Sequence, residues 1–458
     1  MRKCAVLLFA AAAVFLTVAA RHHAVTPPVA PPPVNIDIRR SLVITDPALL
    51  GGFDFQRVLQ ALIDRSGATS TTPLSLYQQW FDTQNPKPGL TVADAPHCDD
   101  FLTNGKPSFN GFPRRCPTPE GILATSDPFA AHDYTPIGIT NRFDLTPADG
   151  SNCGQYRIIF AKTTSSAQTK LHIIFEPTLR NPNPSAGVAG CRAVAQFWAD
   201  LSKVDSADER RARIEKFFFD GIDGFDPVLT PGRFAPGLGR IRTAQNAPQM
   251  ITRFYQFHLQ QNGARLLVVP GLLENLPYGP LYSAAAAQPL GPEFRQFFLS
   301  QIQTLAIRDV NGFFDEIPDK YLIHESVPDN TPIAFASDAS FNQGLSTPEG
   351  QAFKAAVVAE LQRVGSTISV NDLLTRADLQ NCQGCHLGGV AVGEGLTFPF
   401  ADGGTHVDER MVNGNFAISP ALRDVFAPNR AKVLTDFLSG KPLPVHTSGT
   451  IGGGRRSD

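Results

Sequence analysis

The stretch LQNCQGCHLGG, residues 379–389, gathers Cys382, Cys385 and His386 into one five-residue cluster. Three chemistries use thiols and an imidazole at such spacing. Two thiols can add to a porphyrin while the adjacent imidazole takes its iron. Four thiolate or imidazole ligands can close round zinc, and a dithiol can cycle with a disulfide. Positions i, i+3 and i+4 share one helical face, so a single turn presents all three groups to one partner. Zinc needs further ligands, usually a second cysteine pair, and only His406 and His446 lie downstream. A redox dithiol belongs at the start of a helix after a core strand, whereas TRADLQNCQGCH is polar and helix-like, with no strand before it. The Cys-x-x-Cys-His pentad therefore points first to one covalent haem c, with a redox dithiol next and zinc last.

The elements that must position this cluster lie between residues 340 and 440. Thr347-Pro348-Glu349 opens a helix expected to reach Gly365, and a second short helix carries the pentad to Gly388-Gly389. Residues 389–416 read as a glycine-rich loop. Ser419-Pro420 then opens a closing helix, broken at Pro428, with Val433, Leu434, Phe437 and Leu438 as its apolar stripe. Leading helix, pentad, glycine-rich loop and closing amphipathic helix together resemble a single-haem c-type cytochrome domain. The resemblance covers about a quarter of the chain, and the pentad is its one specific element. It implies thioether bonds at Cys382 and Cys385 and His386 as the proximal iron ligand. It also implies a sixth ligand downstream, usually methionine and occasionally histidine. Met411 is the sole downstream methionine, and His406 stands five residues before it, between a Gly-Gly pair and an acidic cluster able to orient an imidazole. His406 ranks ahead of Met411, and a five-coordinate iron is the third arrangement.

The rest of the chain is less explicit. Residues 37–335 read as one large mixed domain with helices expected at 54–65, 74–83, 191–203, 207–219 and 292–306. Strands are expected at 134–142, 155–162 and 170–177, and a hairpin turns at Asn262-Gly263 in FYQFHLQQNGARLLVV. The expected fold class is thus α+β: a large mixed α/β amino-terminal domain followed by a small all-α cytochrome c-like domain. Asp144, Asp149, Asp220, Asp223 and Asp226 lack the spacing of a calcium loop and read as turn formers. His132, His172, His258 and His324 are scattered without metal spacing. No nucleophile elbow, phosphate loop or dinucleotide fingerprint occurs.

Arg2 and Lys3 followed by an apolar run to Ala20 read as a signal peptide (1–20), with an uncleaved anchor as the alternative and the one route to membrane tethering. Residues 21–36 form a proline-rich spacer holding His22 and His23, and 441–458 a disordered tail. Export, periplasmic or beyond, permits disulfides. Setting aside Cys4 and the pentad pair leaves Cys98, Cys116, Cys153 and Cys191, for which sequential pairing is expected, Cys98–Cys116 and Cys153–Cys191. A net charge of −2 without a basic run gives nucleic acid no footprint. The expected function is single-electron transfer to a redox partner protein. A peroxidase-like haem enzyme with an open distal site, or an envelope ligand-binding protein with an accessory haem, are the alternatives.

Overall fold

The computed structural model describes residues 35–92, 95–163, 170–247, 251–313, 315–326, 337–387, 389–401 and 405–444. The expected leader, most of the spacer, the end of the tail and residues 327–336, next to the expected domain boundary, lie outside the described residues, as do Cys4, His22 and His23. Strand β1 (Val43–Ile44) precedes a small ladder of β2 (Leu102–Thr103), β3 (Lys106–Phe109) and β4 (Phe112–Pro113). Next come β5 (Tyr134–Arg142), β6 (Asn152–Lys162), β7 (Leu171–Glu176) and β8 (Thr178–Arg180). Then follow β9 (Arg240–Ala247), β10 (Ile251–Asn262), β11 (Arg265–Gly271) and β12 (Glu325–Ser326), and finally β13 (Val407–Val412) and β14 (Asn415–Ile418). The main sheet is antiparallel in the order β1-β5-β6-β7-β9-β10-β11, with β8 beside β6 and β12 beside β10. With the helices the fold is mixed α/β.

Period-two alternation decides what each side of this sheet does. On one face Tyr156, Ile158 and Phe160, Ile173 and Phe175, and Tyr255 and Phe257 are buried in an aromatic core. Phe55 of the helix Phe55–Ser66 meets Phe160 at 5.1 Å, and Trp80 of the helix Pro73–Asp82 meets Phe257 at 5.6 Å. Each such side chain contributes about 1.5–3 kcal/mol relative to exposure. The opposite face carries Arg157 and Ile159, His172, Ile174 and Glu176, Arg240 and Arg242, and Phe254. Register sets Ile159 beside Ile174, Ile174 beside Arg242, and Glu176 beside Arg240.

The carboxy-terminal segment covers that second face. Backbone N–H of Phe416 donates to the Thr45 carbonyl at 2.9 Å, and Lys170 pairs with Asp408 at 2.9 Å and Glu409 at 2.8 Å. Gly138 of β5 lies so close that a Cβ there would stand 3.2 Å from Val407. Val407, Phe416, Leu434 and Phe437 belong to the same core cluster as Ile44 and Ile158. Helices Pro348–Arg363 and Val370–Asp378 join a second cluster with Phe294 and Phe298 of the helix Gly291–Leu305.

Most expected helices and strands form within a few residues of their expected ends, and both disulfides pair sequentially, with Cα separations of 5.4 Å for Cys98–Cys116 and 5.3 Å for Cys153–Cys191. Three differences matter. Residues 340–440 are not all helical, because β13 and β14 pair as a hairpin where a loop was expected. Their apolar residues (Val407, Met411, Val412, Phe416, Ala417, Ile418) do not alternate regularly, so the pattern is readable only against the sheet they cover. Strand β9 was not anticipated, since RIRTAQNA is mostly polar; it is nonetheless held between β7 and β10. Pro428 does not break the closing helix: the run continues from a wide π-helical stretch at Ala421–Phe426 into Ala427–Leu438, and that wide stretch is the irregularity beside the proline.

Candidate functional site

The pentad sits on the short helix Cys382–Leu387. The helix before it, Val370–Asp378, begins with a reciprocal cap: Ser369 Oγ accepts from Asp372 N–H at 3.0 Å, and Asp372 accepts from Ser369 N–H at 3.1 Å. Buried Asn381 then starts the next helix by accepting from Gly384 N–H at 2.9 Å. The glycine inside the pentad has a packing reason, since a Cβ on Gly384 would fall 2.0 Å from the Asp378 carbonyl oxygen. Beyond the pentad, buried Arg376 clamps the chain. Its guanidinium donates to the carbonyls of Val392 (2.8 Å), Leu305 (3.0 Å) and Ile307 (2.9 Å), and stands 4.6 Å over the Phe313 ring. Gly389 N–H donates to Phe398 O, and Phe398 N–H to Val390 O, which fixes Phe398 at the site.

Cys385 and His386 open onto a cavity of about 340 Å³. A second space of about 100 Å³ shares Arg157, Arg242, His386, His406 and Arg430 with it, so the two adjoin. Their walls come from the second sheet face, from the pentad helix and the residues just before it, from the loops that carry Glu274, Phe313 and Phe398, and from the segment 405–430. Part of the lining is apolar, Phe313, Leu379, Phe398 and Phe426, with Phe254 packed 5.0 Å from the His386 ring. The rest is rich in guanidinium: Arg142, Arg157, Arg240, Arg242 and Arg430.

The structure brings Cys385, His386 and His406 together and leaves Met411 apart. His406 Nε2 stands 3.4 Å from Cys385 Sγ, and its Nδ1 is 3.0 Å from Ser419 Oγ. Ser419 Oγ also accepts from Leu422 N–H at 3.1 Å, which ties the imidazole to the closing helical segment. The His386 and His406 rings are 4.9 Å apart and tilted by 54°, within direct ring-packing distance. Met411 is 52 % exposed on β13 and lines neither space. The Cys382 side chain lies outside the described residues.

Charge in the cavity follows from burial and pairing. Burial alone would raise the Glu176 carboxyl, but Arg157, Arg242 and Arg240, at 3.3, 2.5 and 3.1 Å, pull it down to about 2. Asp144 is likewise held below the usual range, against its burial, by Arg142 and Arg430; its carboxylate accepts from Arg142 at 2.9–3.1 Å. Burial lowers Arg430 to about 9, with Arg142 adding to that and Asp144 opposing it, so it stays a cation at neutral pH. Burial, then His386 and the arginines Arg430, Arg142 and Arg157, push His406 well below its ordinary value and keep it a neutral imidazole.

Sequence reasoning missed every arginine of this wall and read Asp144 as a turn former. The signal was present in β6, β7 and β9, where Arg157, Glu176, Arg240 and Arg242 stand on the face opposite the buried Tyr156, Ile158, Phe175 and Ile241. Charged residues on one face of strands whose other face is core mark a face that something else must cover.

A haem fits this chemistry in part. A flat apolar macrocycle with two carboxylates at one edge matches an aromatic wall beside a cationic one, with thiol and imidazole on the same helix. The two imidazoles, however, touch, so a macrocycle ligated from both sides would have to part them. Among the described residues no group of three or more His, Cys, Asp and Glu side chains could by itself hold a metal ion, and no helix among them is long and apolar enough to cross a membrane. Compared with known proteins, the chain matches no family model, no curated protein and no solved structure, so its chemistry must be argued from the site.

Proposed function

We propose that the chain carries one covalent haem c and exchanges single electrons with a redox partner protein outside the cytoplasmic membrane. The observation that carries this reading is that Cys385 and His386 of the pentad line a cavity whose other lining is largely aromatic and cationic. Such a haem supplies reversible one-electron chemistry at its iron. Cys382 and Cys385 would tether it by thioether bonds, and the His386 imidazole would bind its iron. Neutral His406, hydrogen-bonded through Nδ1, would be the second imidazole able to bind that iron, through Nε2. Phe254, Phe313, Phe398 and Phe426 supply the apolar part of the cavity lining. In this reading 340–440 is the haem-bearing segment and 37–335 supplies the sheet wall. The two disulfides suit the oxidising compartment to which an export signal would lead.

The test is the visible spectrum of protein exported by a host that matures haem c, oxidised and then reduced with dithionite. A sharp reduced α-band that survives acid-acetone extraction, and is lost in Cys382→Ala/Cys385→Ala, supports the proposal. A colourless protein overturns it. One observation favours a second reading: Cys385 Sγ lies 3.4 Å from His406 Nε2 and near the Arg430 guanidinium, the kind of surroundings in which redox-active cysteines sit. A colourless protein whose pentad cysteines cycle between dithiol and disulfide at a defined potential would establish that chemistry instead.

A further inference from the structure

Neither tethering thiols nor an iron-binding imidazole needs five guanidiniums. Arg142, Arg157, Arg240, Arg242 and Arg430 line the joined cavities, against the carboxylates of Asp144, Glu176 and Glu274. Five cations against three anions leave an excess of two positive charges. The excess falls in two places. Three arginines share Glu176, and Arg240 also reaches the carboxylate of the partly exposed Glu274. On the other side Arg142 and Arg430 share Asp144, but unequally. Arg142 holds it by three hydrogen-bond contacts of 2.9–3.1 Å, while Arg430 stands 3.9 Å away. Among the described residues the Arg430 side chain makes no hydrogen bond, although it is only 12 % exposed and lines both spaces. Its donors therefore stand ready for an acceptor that enters the cavity.

We propose that this arm of the cavity is a recognition site for a dianion bearing two carboxylates, with Arg430 as its anchor and Arg142 and Arg157 beside it. The planar guanidinium fork matches a carboxylate by two parallel hydrogen bonds, and the surplus charge beside Asp144 together with the one beside Glu176 matches a dianion. The inference goes beyond electron transfer, because these atoms recognise carboxylates whether or not a haem is present. Two sources have that chemistry: the carboxylate pair on the edge of a bound haem, and a free dicarboxylate of the exported compartment.

The experiment uses succinate as the probe, with chloride at matched ionic strength as the control, on the haem-loaded protein and on its Cys382→Ala/Cys385→Ala form. Each is prepared with Arg430, R430Q and R430K, and folding is checked by circular dichroism. Calorimetry and the thermal midpoint read binding, and the reduction midpoint reads the loaded protein. The haem-free form is expected to bind succinate saturably, and R430Q to weaken it by about tenfold or more, the loss of a charged hydrogen-bonded pair. If the loaded protein then ignores succinate while R430Q lowers its reduction midpoint, the haem's own carboxylates hold the arm. If the loaded protein also binds succinate, and R430Q weakens that binding, the ligand is a free dianion. Should R430Q fail to fold, R430K decides by the same readings, since it keeps the charge and loses the fork. A colourless protein that binds succinate through Arg430 separates this proposal from the haem reading. No succinate binding above chloride in the haem-free form, with a reduction midpoint indifferent to Arg430, overturns the proposal.

Discussion

Glu176 is the residue through which the cavity wall is most sharply tested. It is fully buried on β7, and its carboxylate receives Arg242 at 2.5 Å, Arg240 at 3.1 Å and Arg157 at 3.3 Å. Those cations overcome burial and take its carboxyl from 4.5 to about 2. By linkage that depression is worth about 3 kcal/mol of stability at neutral pH, at about 1.4 kcal/mol per pKa unit. Removing one partner of a buried ion pair costs about 3–5 kcal/mol by a separate route, and the two figures agree. Because the folded value is the lower one, this stability is fully present above pH 4.5 and is lost as pH falls towards 2. Glu176→Gln should therefore unfold about 3 kcal/mol more easily at pH 7. Its deficit against the parent should shrink steadily below pH 4.5. Urea titrations followed by the fluorescence of buried Trp80 and Trp198, repeated from pH 7 to pH 3, would measure both quantities. A variant within about 1 kcal/mol of the parent at pH 7, the level of an exposed pair, would refute the wall as described. So would a deficit that does not change with pH.

Other perturbations separate further parts of the structure. Burial lifts the Glu120 carboxyl to about 7 despite hydrogen bonds from its own backbone and Thr118, so the parent should lose stability as pH rises from 4.5 through 7. Glu120→Gln should remove that slope in thermal midpoints taken between pH 4.5 and 8; a retained slope would assign it to another group. In haem-loaded protein His406→Ala should change the spin state seen by visible and paramagnetic resonance spectra, while Met411→Ala, at a 52 % exposed position, should not. The reverse result would make Met411 the ligand. Cys153→Ser/Cys191→Ser opens a loop of 38 residues, and loop-closure entropy puts the loss at about 4 kcal/mol. Cys98→Ser/Cys116→Ser opens one of 18, for about 3 kcal/mol. Denaturant midpoints of the two variants should fall in that order.

Local signals in the sequence located the pentad, the helix before it and the disulfide pairs, because each depends on residues close together or on simple parity of cysteines. The hairpin Val407–Ile418 and strand β9 escaped because their stability comes from the strands beside them, and their own side chains alternate weakly. The cavity wall escaped for a related reason. Arg157, Glu176, Arg240 and Arg242 come from three strands, and only the register of β6, β7 and β9 sets them side by side. Arg430 follows Pro428 by two residues on what looked like a broken helix; the π-helical stretch before it keeps the helix running and directs the guanidinium into the cavity.

The arginine wall does not look like a device for stability. Buried ion pairs recover little more than the cost of drying them, and apolar side chains of equal volume often do as well or better. A chain that keeps five guanidiniums and three carboxylates about one cavity, with the cations in excess, holds a positive potential there at a cost to its own folding. That potential has a use if negative charge is to enter. At an effective dielectric constant of about 20, one unit charge about 8 Å away contributes about 2 kcal/mol. That is enough to favour an arriving carboxylate by more than tenfold, or to raise a reduction midpoint, and the thiol and imidazoles stand where either effect would act. The second sheet face is therefore part of the site, not scaffolding behind it, and the pentad helix taken away from that face would lose the charges that set its chemistry.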